Sequence, residues 1–300
     1  MISGLPPSSE QFLANLERIQ ARGDKAQREI STGRRVSRPS DDPDQLGSIL
    51  NTAAQLDRVE RINMNLPRVK GEVDTAEMAL EGAVSMLDRL RAIAAEGATS
   101  TETTEQRKTL QVEVEALMDR LVAAANVTYE GRTIFSGDAD NTAPYQVDWS
   151  QANGVSAYAG RPATRKIEHP SGYWIPVAKS ADEIFDAPGG NSVFAAVAAL
   201  RNGLQADDQN AILAATDLLK AAHNHLSAEL SFYGSVQQQV ADAVDTGAKL
   251  SLRLQTTLSG LRDADLTASI LALNDAKVQQ DAALSAQAKM PRTTLFDFLG

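Results

Sequence analysis

The chain contains no cysteine. Disulfide staples, thiol nucleophiles and cysteine-based metal sites are therefore excluded. Histidine is almost as scarce, with three in 300 residues. His223 and His225 lie two apart, which on a helix points their side chains about 200° away from each other. A metal pair on one helix face needs a spacing of four, so no metal site is expected, and His169 stands alone before a proline. No apolar run reaches the ~18 residues of a membrane span, so no membrane partner is expected. Basic residues are outnumbered: 29 Lys and Arg face 39 Asp and Glu, for a net charge of −10. Nucleic-acid binding needs clustered Lys and Arg. The one basic knot, Arg34, Arg35 and Arg38, is too short to supply a phosphate track, and no nucleic-acid partner is expected.

Catalytic signatures are missing as well. There is no Gly-rich phosphate loop and no nucleophile elbow. The acidic stretch Asp138, Asp140, Asn141 lacks the glycine and distal glutamate of a calcium loop. The chain reads as a non-enzyme without a cofactor. Met1 to Pro7 shows no basic start followed by an apolar run, so no cleavable signal is expected. Taken alone this suggests a cytosolic protein, unless export reads an uncleaved terminus.

What the chain does have is helical periodicity. Ser8 with Gln11 has capping-box spacing. Phe12, Leu16, Ile19, Gly23, Ala26, Ile30 and Gly33 follow at steps of four and three, a coiled-coil seam narrowed by its small residues. Gly33 is placed to end that helix. Asp42, Pro43 and Gln45 form the next start signal. A longer seam then runs Val59, Ile62, Leu66, Val69, Val73, Ala76, Leu80, Ala83, Leu87, Leu90 and Ala94, apolar at every position. One helix over Pro43 to Glu96 would be roughly 80 Å long. Pro67 is expected to interrupt or bend it. Thr103 with Gln106 starts a third helix carrying Leu110, Val114, Leu117 and Leu121.

Between Val127 and Gly190 the character changes. Both tryptophans and four of the five tyrosines fall here, and runs such as Arg132 to Phe135 and Arg165 to Glu168 are bounded by turn residues. This predicts β-hairpins in an insert of about sixty residues. Helix returns at Ser192, and Asp207 opens another long seam from Ile212 through Leu219, Leu226, Leu230, Tyr233 and Val240 to Leu261. His223 lies on that seam, which predicts a side chain at the edge of the core. A last helix is expected from near Asp263 to about Met290.

The predicted fold is mainly α with a small β-rich insert. It is an elongated antiparallel helical bundle, or coiled coil, with both termini at one end and the insert capping the far end. The expected segments are an N-terminal assembly helix (1–40), the first half of a helical rod (41–126), the insert (127–190), the second half of the rod (191–261) and a C-terminal assembly helix (262–300). The terminal helices carry apolar residues on more than one face, which a monomer cannot bury by itself. The candidate assembly interface is Phe12, Leu16, Ile19, Ile30, Leu266, Ile270, Leu273, Leu284, Leu295, Phe296, Phe298 and Leu299. Mobile terminal arms are expected in a free monomer.

Three motifs give this layout a resemblance. Ile30-Ser-Thr-Gly-Arg-Arg-Val-Ser37 with Asp41 and Asp42 is similar to the "LSSGxRIN…DD" stretch of the flagellin family. Met86-Leu-Asp-Arg-Leu-Arg-Ala-Ile-Ala-Ala95 looks like that family's "ILxRxRELAxQ" helix, and Arg262-Asp-Ala-Asp265 like its "EDAD". Within the family, Pro39-Ser-Asp-Asp-Pro43, Tyr129-Glu-Gly-Arg-Thr-Ile-Phe-Ser-Gly137 and Leu295-Phe-Asp-Phe-Leu299 resemble the members that join hook to filament more than they resemble filament flagellin. The resemblance implies a secreted, structural subunit of the bacterial flagellum. It would be exported through the type III apparatus and assemble by its terminal helices. The implied partners are further copies of the chain in a ring of a helical tube, a hook-side junction protein, filament flagellin and an export chaperone. Filament flagellin is the alternative role. A secreted coiled-coil effector or adhesin is more remote, because it would lack the paired end motifs.

Overall fold

The computed structural model describes residues 7–289, apart from Thr101, Asp140 and Gly190. Among the described residues seven helices dominate: α1 (Pro7–Thr32), α2 (Pro43–Gly97), α3 (Thr104–Ala125), α4 (Ala181–Phe185), α5 (Val193–Gln205), α6 (Gln209–Arg262) and α7 (Leu266–Lys289). Four short strands lie between α3 and α4: β1 (Thr128–Tyr129), β2 (Arg132–Thr133), β3 (Lys166–Glu168) and β4 (Trp174–Pro176). The expected class, mainly α with a small β insert, is what the structure has.

The start signals work as read. Asp42 Oδ1 accepts the Gln45 N–H at 3.3 Å and Pro43 takes the first helical position of α2. Thr103 and Gln106 complete a reciprocal capping box on α3. Ser8, by contrast, lies inside α1, because the helix already runs from Pro7. Pro67 does not interrupt α2, which is one helix through to Gly97. A proline inside a helix costs about 3 kcal/mol. Leu66 and Val73 on the adjoining turns are buried, and each such side chain returns ~1.5–3 kcal/mol, so packing on both sides outweighs the lost bond.

The chain divides into two compact units, one of Val59–Leu250 and the other of the residues up to Arg58 and from Ser251 onward. In the Val59–Leu250 unit, α2 and α6 run antiparallel. Asn63 lies against Gly247, Asp74 accepts the Gln237 amide at 2.9 Å, and Asp88 faces His223 at 3.2 Å. A side chain on Gly97 would strike Leu204, close to Ile212. His223 sits at the core edge, as its seam position predicts. α3 folds back along α2, tied by a two-pronged Arg89–Glu113 pair at 2.6 and 2.9 Å. α5 is held to α3 by Arg201–Glu115 at 2.8 Å. The core between them is built from the seams: Leu80, Leu87 and Leu90 of α2, Val114 and Leu121 of α3, Val197 and Leu200 of α5, Ile212, Leu219 and Leu226 of α6, all buried.

The insert contains two antiparallel ribbons, β1 with β2 and β3 with β4, the second in the register Ile167 opposite Ile175. Its core is aromatic: Phe135 stands edge-on to both Phe185 and Tyr233, and Tyr145 to Phe194. It does not cap the end of the α2/α6 pair. It lies along the flank, where Arg165 pairs with Glu72, Lys179 with Glu229 at 2.5 Å, and His169 faces Asp242 at 3.4 Å. The reason is length. α3 and α5 are much shorter than α2 and α6, so the chain leaves the bundle partway along. The end beside Gly97 is closed by Arg107, which is buried and bonds the Gly97 and Thr99 carbonyls and Asp207.

In the other unit, α1 and α7 lie side by side and antiparallel. Glu29 accepts the Ser269 hydroxyl at 2.8 Å, Gly23 lies against Ala276, and Phe12 shares a groove with Ala286 and Gln287. The start of α2 and the end of α6 share a separate small core of Val36, Ile49, Leu56 and Leu258.

Candidate assembly site

The two end motifs, more than 200 residues apart, meet in one clasp. α1 stops at Gly33, whose φ of 68° is a left-handed conformation that glycine adopts without penalty. The chain then runs extended past the turn between α6 and α7. Arg35 and Val36 both donate their N–H groups to the Arg262 carbonyl, at 2.8 and 3.1 Å. Ala264 donates to the Gly33 carbonyl at 3.0 Å, and Arg34 and Asp263 form an antiparallel bridge. The Arg35 guanidinium adds a three-way tie: Asp42 at 2.9 Å, Gln45 at 3.2 Å and the Leu261 carbonyl at 2.7 Å. A planar fork with several donors suits this task, and a lysine could not reproduce it.

The acidic residues of the motifs have separate duties. Asp41 closes its own loop, accepting from the N–H groups of Arg38 and Ser37 at 2.7 and 2.9 Å. Those N–H bonds, Arg38 first, hold its carboxyl below the usual range. Asp42 caps α2 and holds Arg35. Asp265 accepts the N–H groups of Thr267 and Ala268 at 2.9 and 3.1 Å and so opens α7. The sequence marked these residues but not their meeting. Nothing local records a backbone strap between positions so far apart.

The structure divides the sequence-predicted interface residues into two groups. On α1, Phe12, Leu16, Ile19 and Ile30 are half-buried, and Leu273 of α7 is half-buried too. Here the expectation of unpartnered faces needs correction: the α1 seam has a partner in α7 of the same chain. Small residues explain why, since Gly23 and Ala276 let the two backbones come close. On α7, Leu266, Ile270 and Leu284 are each about half exposed. Leu271 and Val278, on a second face, are 60% and 67% exposed, and Leu13 of α1 joins them at 44%. These three fall outside the interface predicted from the sequence, although the spread of apolar residues around α7 hints at them. Leu295, Phe296, Phe298 and Leu299 lie outside the described residues.

Among the described residues no group of three His, Asp or Glu side chains could hold a metal, and no helix is long and apolar enough to cross a membrane.

Comparison with known proteins follows the same two-ended pattern. The model of the bacterial flagellin N-terminal helical region matches residues 7–140, and that of the C-terminal helical region matches residues 216–299. Flagellin B of Helicobacter pylori is 26% identical over 141 residues, 47% of this chain. This chain spans only 27% of the length of that flagellin. Flagellar hook-associated protein 3 of Escherichia coli is 24% identical over 303 residues, 93% of this chain and 92% of that protein. Among solved structures, a putative flagellar hook-associated protein from Vibrio parahaemolyticus shares the fold with a TM-score of 0.63 at 19% identity, over 74% of this chain and all of that one. Hook-associated protein 3 from Legionella pneumophila does so with a TM-score of 0.64 at 17% identity, over 71% of this chain and 98% of that one. With one family model on the arm before the insert and its counterpart on the arm after it, joined in the structure by the clasp of their own motifs, the chain belongs to the flagellin family.

Proposed function

We propose that this chain is a structural subunit of the bacterial flagellum at the junction between hook and filament, assembling through its terminal helices after type III export. One observation carries the assembly reading: α7 uses a single stripe against α1 and leaves Leu266, Ile270, Leu271, Val278 and Leu284 exposed. Burying such side chains against neighbours contributes ~1.5–3 kcal/mol apiece, so a few per copy are enough to order a ring. The α1/α7 pair is therefore the building block, and α7 offers most of its free apolar surface. Segments 1–40 and 262–300 serve assembly, 41–126 and 191–261 form the rod, and 127–190 is the laterally docked insert.

Full-length similarity to hook-associated protein 3 supports the junction role. Matches to flagellins, some partial and two covering about 90% of both chains, are the observation that favours a filament subunit instead. The partners follow from the junction role: further copies in a ring, a hook-side junction protein, filament flagellin and an export chaperone, with the assembled protein outside the cell. Nothing in this role calls for catalysis.

The test is a deletion strain. It should build hooks, fail to retain filaments and shed flagellin into the medium. A tagged chain should sit at one point beside the hook. Replacing Leu266, Ile270 and Leu271 by serine should reproduce the deletion phenotype while the purified variant keeps its helical circular dichroism. Labelling along the whole filament, or long homopolymers grown by the purified chain, would make it a filament flagellin.

A further inference from the structure

We propose that the core of the insert contains a built site for one internal water molecule, held by Tyr145, Ser180 and Asp182. Tyr145 is fully buried and Ser180 is 1% exposed. The Tyr145 hydroxyl, the Ser180 hydroxyl and Asp182 Oδ1 are all buried without a hydrogen-bond partner. Buried polar atoms in folded proteins are nearly always satisfied, and one left unmet costs ~1–3 kcal/mol. Three orphans in one small core therefore point to a shared ligand.

They belong to one neighbourhood. Ser180 and Asp182 are two apart at the start of α4. Tyr145 and Tyr158 stand with ring centroids 5.6 Å apart. Burial, then the charge of Asp182, pushes the Tyr158 phenol up to about 12. The Tyr145 phenol is pushed higher still by burial, with Asp186 and Asp182 adding to it. Both phenols keep their protons, so the Tyr145 hydroxyl has a hydrogen to give.

Ser180 has the Tyr158 hydroxyl beside it and can give that oxygen its hydrogen, which leaves the lone pairs of Ser180 open to accept. Tyr145 is pinned by its backbone, which exchanges two bonds with the Asn126 side chain at 2.7 and 3.1 Å. The Phe135 carbonyl is taken by the Ala181 N–H and the Tyr158 hydroxyl, and the Ser180 carbonyl by the Glu183 and Ile184 N–H groups. Ser180 occupies the position before α4 where serine usually caps, yet its side chain makes no cap bond. α4 has five residues and its dipole plays no part.

The number of partners selects the ligand. An internal water makes about three hydrogen bonds to otherwise unmet groups. Here it would accept from Tyr145 and donate to Asp182 and Ser180. A calcium ion wants 6–8 oxygen ligands, more than these three side chains supply. The water would tie the loop carrying Tyr145, at the exit of α3, to α4, at the approach to α5.

The experiment uses the full chain. A crystal structure resolving ordered solvent should show one water about 3 Å from all three oxygens. Magnetic relaxation dispersion of water ¹⁷O should count one fewer long-lived water in Tyr145→Phe and in Ser180→Ala. Tyr145→Phe should also lower the melting temperature by a few degrees. Because Ser180→Ala removes one atom, it guards against a Tyr145 variant that fails to fold. An unchanged water count in both variants, a melting temperature unchanged or raised in Tyr145→Phe, a direct Tyr145–Asp182 bond, or an ion with five or more oxygen ligands would each overturn the proposal. None of these outcomes bears on the junction role.

Discussion

The pairing of α1 with α7 can be locked covalently and read out cleanly, because the chain has no cysteine of its own. A Cβ built on Gly23 would lie 3.5 Å from Cβ of Ala276. Disulfide-bonded cysteines place their Cβ atoms at about 3.5–4.5 Å, so Gly23→Cys with Ala276→Cys should bridge with little backbone movement. The closed loop is on the order of 250 residues, for which chain entropy gives an upper value of about 5 kcal/mol. Native strain reduces that figure, and losing a mid-helix glycine adds back something under 1 kcal/mol. The bacterial cytosol keeps thiols reduced, so the bridge should be formed by mild oxidation of the purified, dilute monomer. The expected result is an intramolecular species that migrates faster on non-reducing gels and unfolds at higher temperature than its reduced form. A control pair, Gly23→Cys with Val278→Cys, should not close, since Val278 is 67% exposed on another face. If the assembly surface is the free face of α7, the locked chain should still join the hook. Failure of the Gly23/Ala276 pair to close, or closure of the control at the same rate, would refute the antiparallel pairing in the monomer. Closure followed by loss of junction activity would refute the claim that the α1/α7 seam is not itself the intersubunit contact.

Three further outcomes follow from the same geometry. Arg35→Ala removes bonds to Asp42, Gln45 and the Leu261 carbonyl; it should cost about 1–3 kcal/mol locally, seen as faster proteolysis between residues 33 and 42, while Arg35→Lys should rescue only part of the protection. Asp41 has a folded-state carboxyl below its ordinary 3.8, so its contribution is present above that pH and is lost as pH falls through the lower folded value; Asp41→Asn should flatten the acid dependence of clasp proteolysis, and an unchanged dependence would remove Asp41 from the account. Pro67→Ala, at an exposed position inside α2, should raise stability by about 1–3 kcal/mol in denaturant unfolding, and a loss of stability would show that the helix needs its proline.

Local features were legible because neighbours along the chain determine them. The caps at Asp42 and Thr103, the stop at Gly33, the apolar seams of α2 and α6 and the position of the insert all follow from side chains within about one helical turn or from a repeating interval. The break expected at Pro67 failed because tertiary packing outweighed a local penalty. The end motifs of the family were legible as strings, and with them the two-armed layout. What tertiary structure alone decided was which faces meet. It brought Arg35 to the Leu261 carbonyl, gave the α1 seam to α7 while leaving Leu271 and Val278 free, and set the insert on the flank through Arg165–Glu72 and Lys179–Glu229. A seam states that a face must be buried, but any complementary face at the right spacing can bury it. The choice among partners rests on backbone approach at Gly23 and Ala276, on helix lengths that let α3 and α5 stop short, and on hydrogen bonds spanning more than 200 residues, none of which is written in a local stretch of sequence.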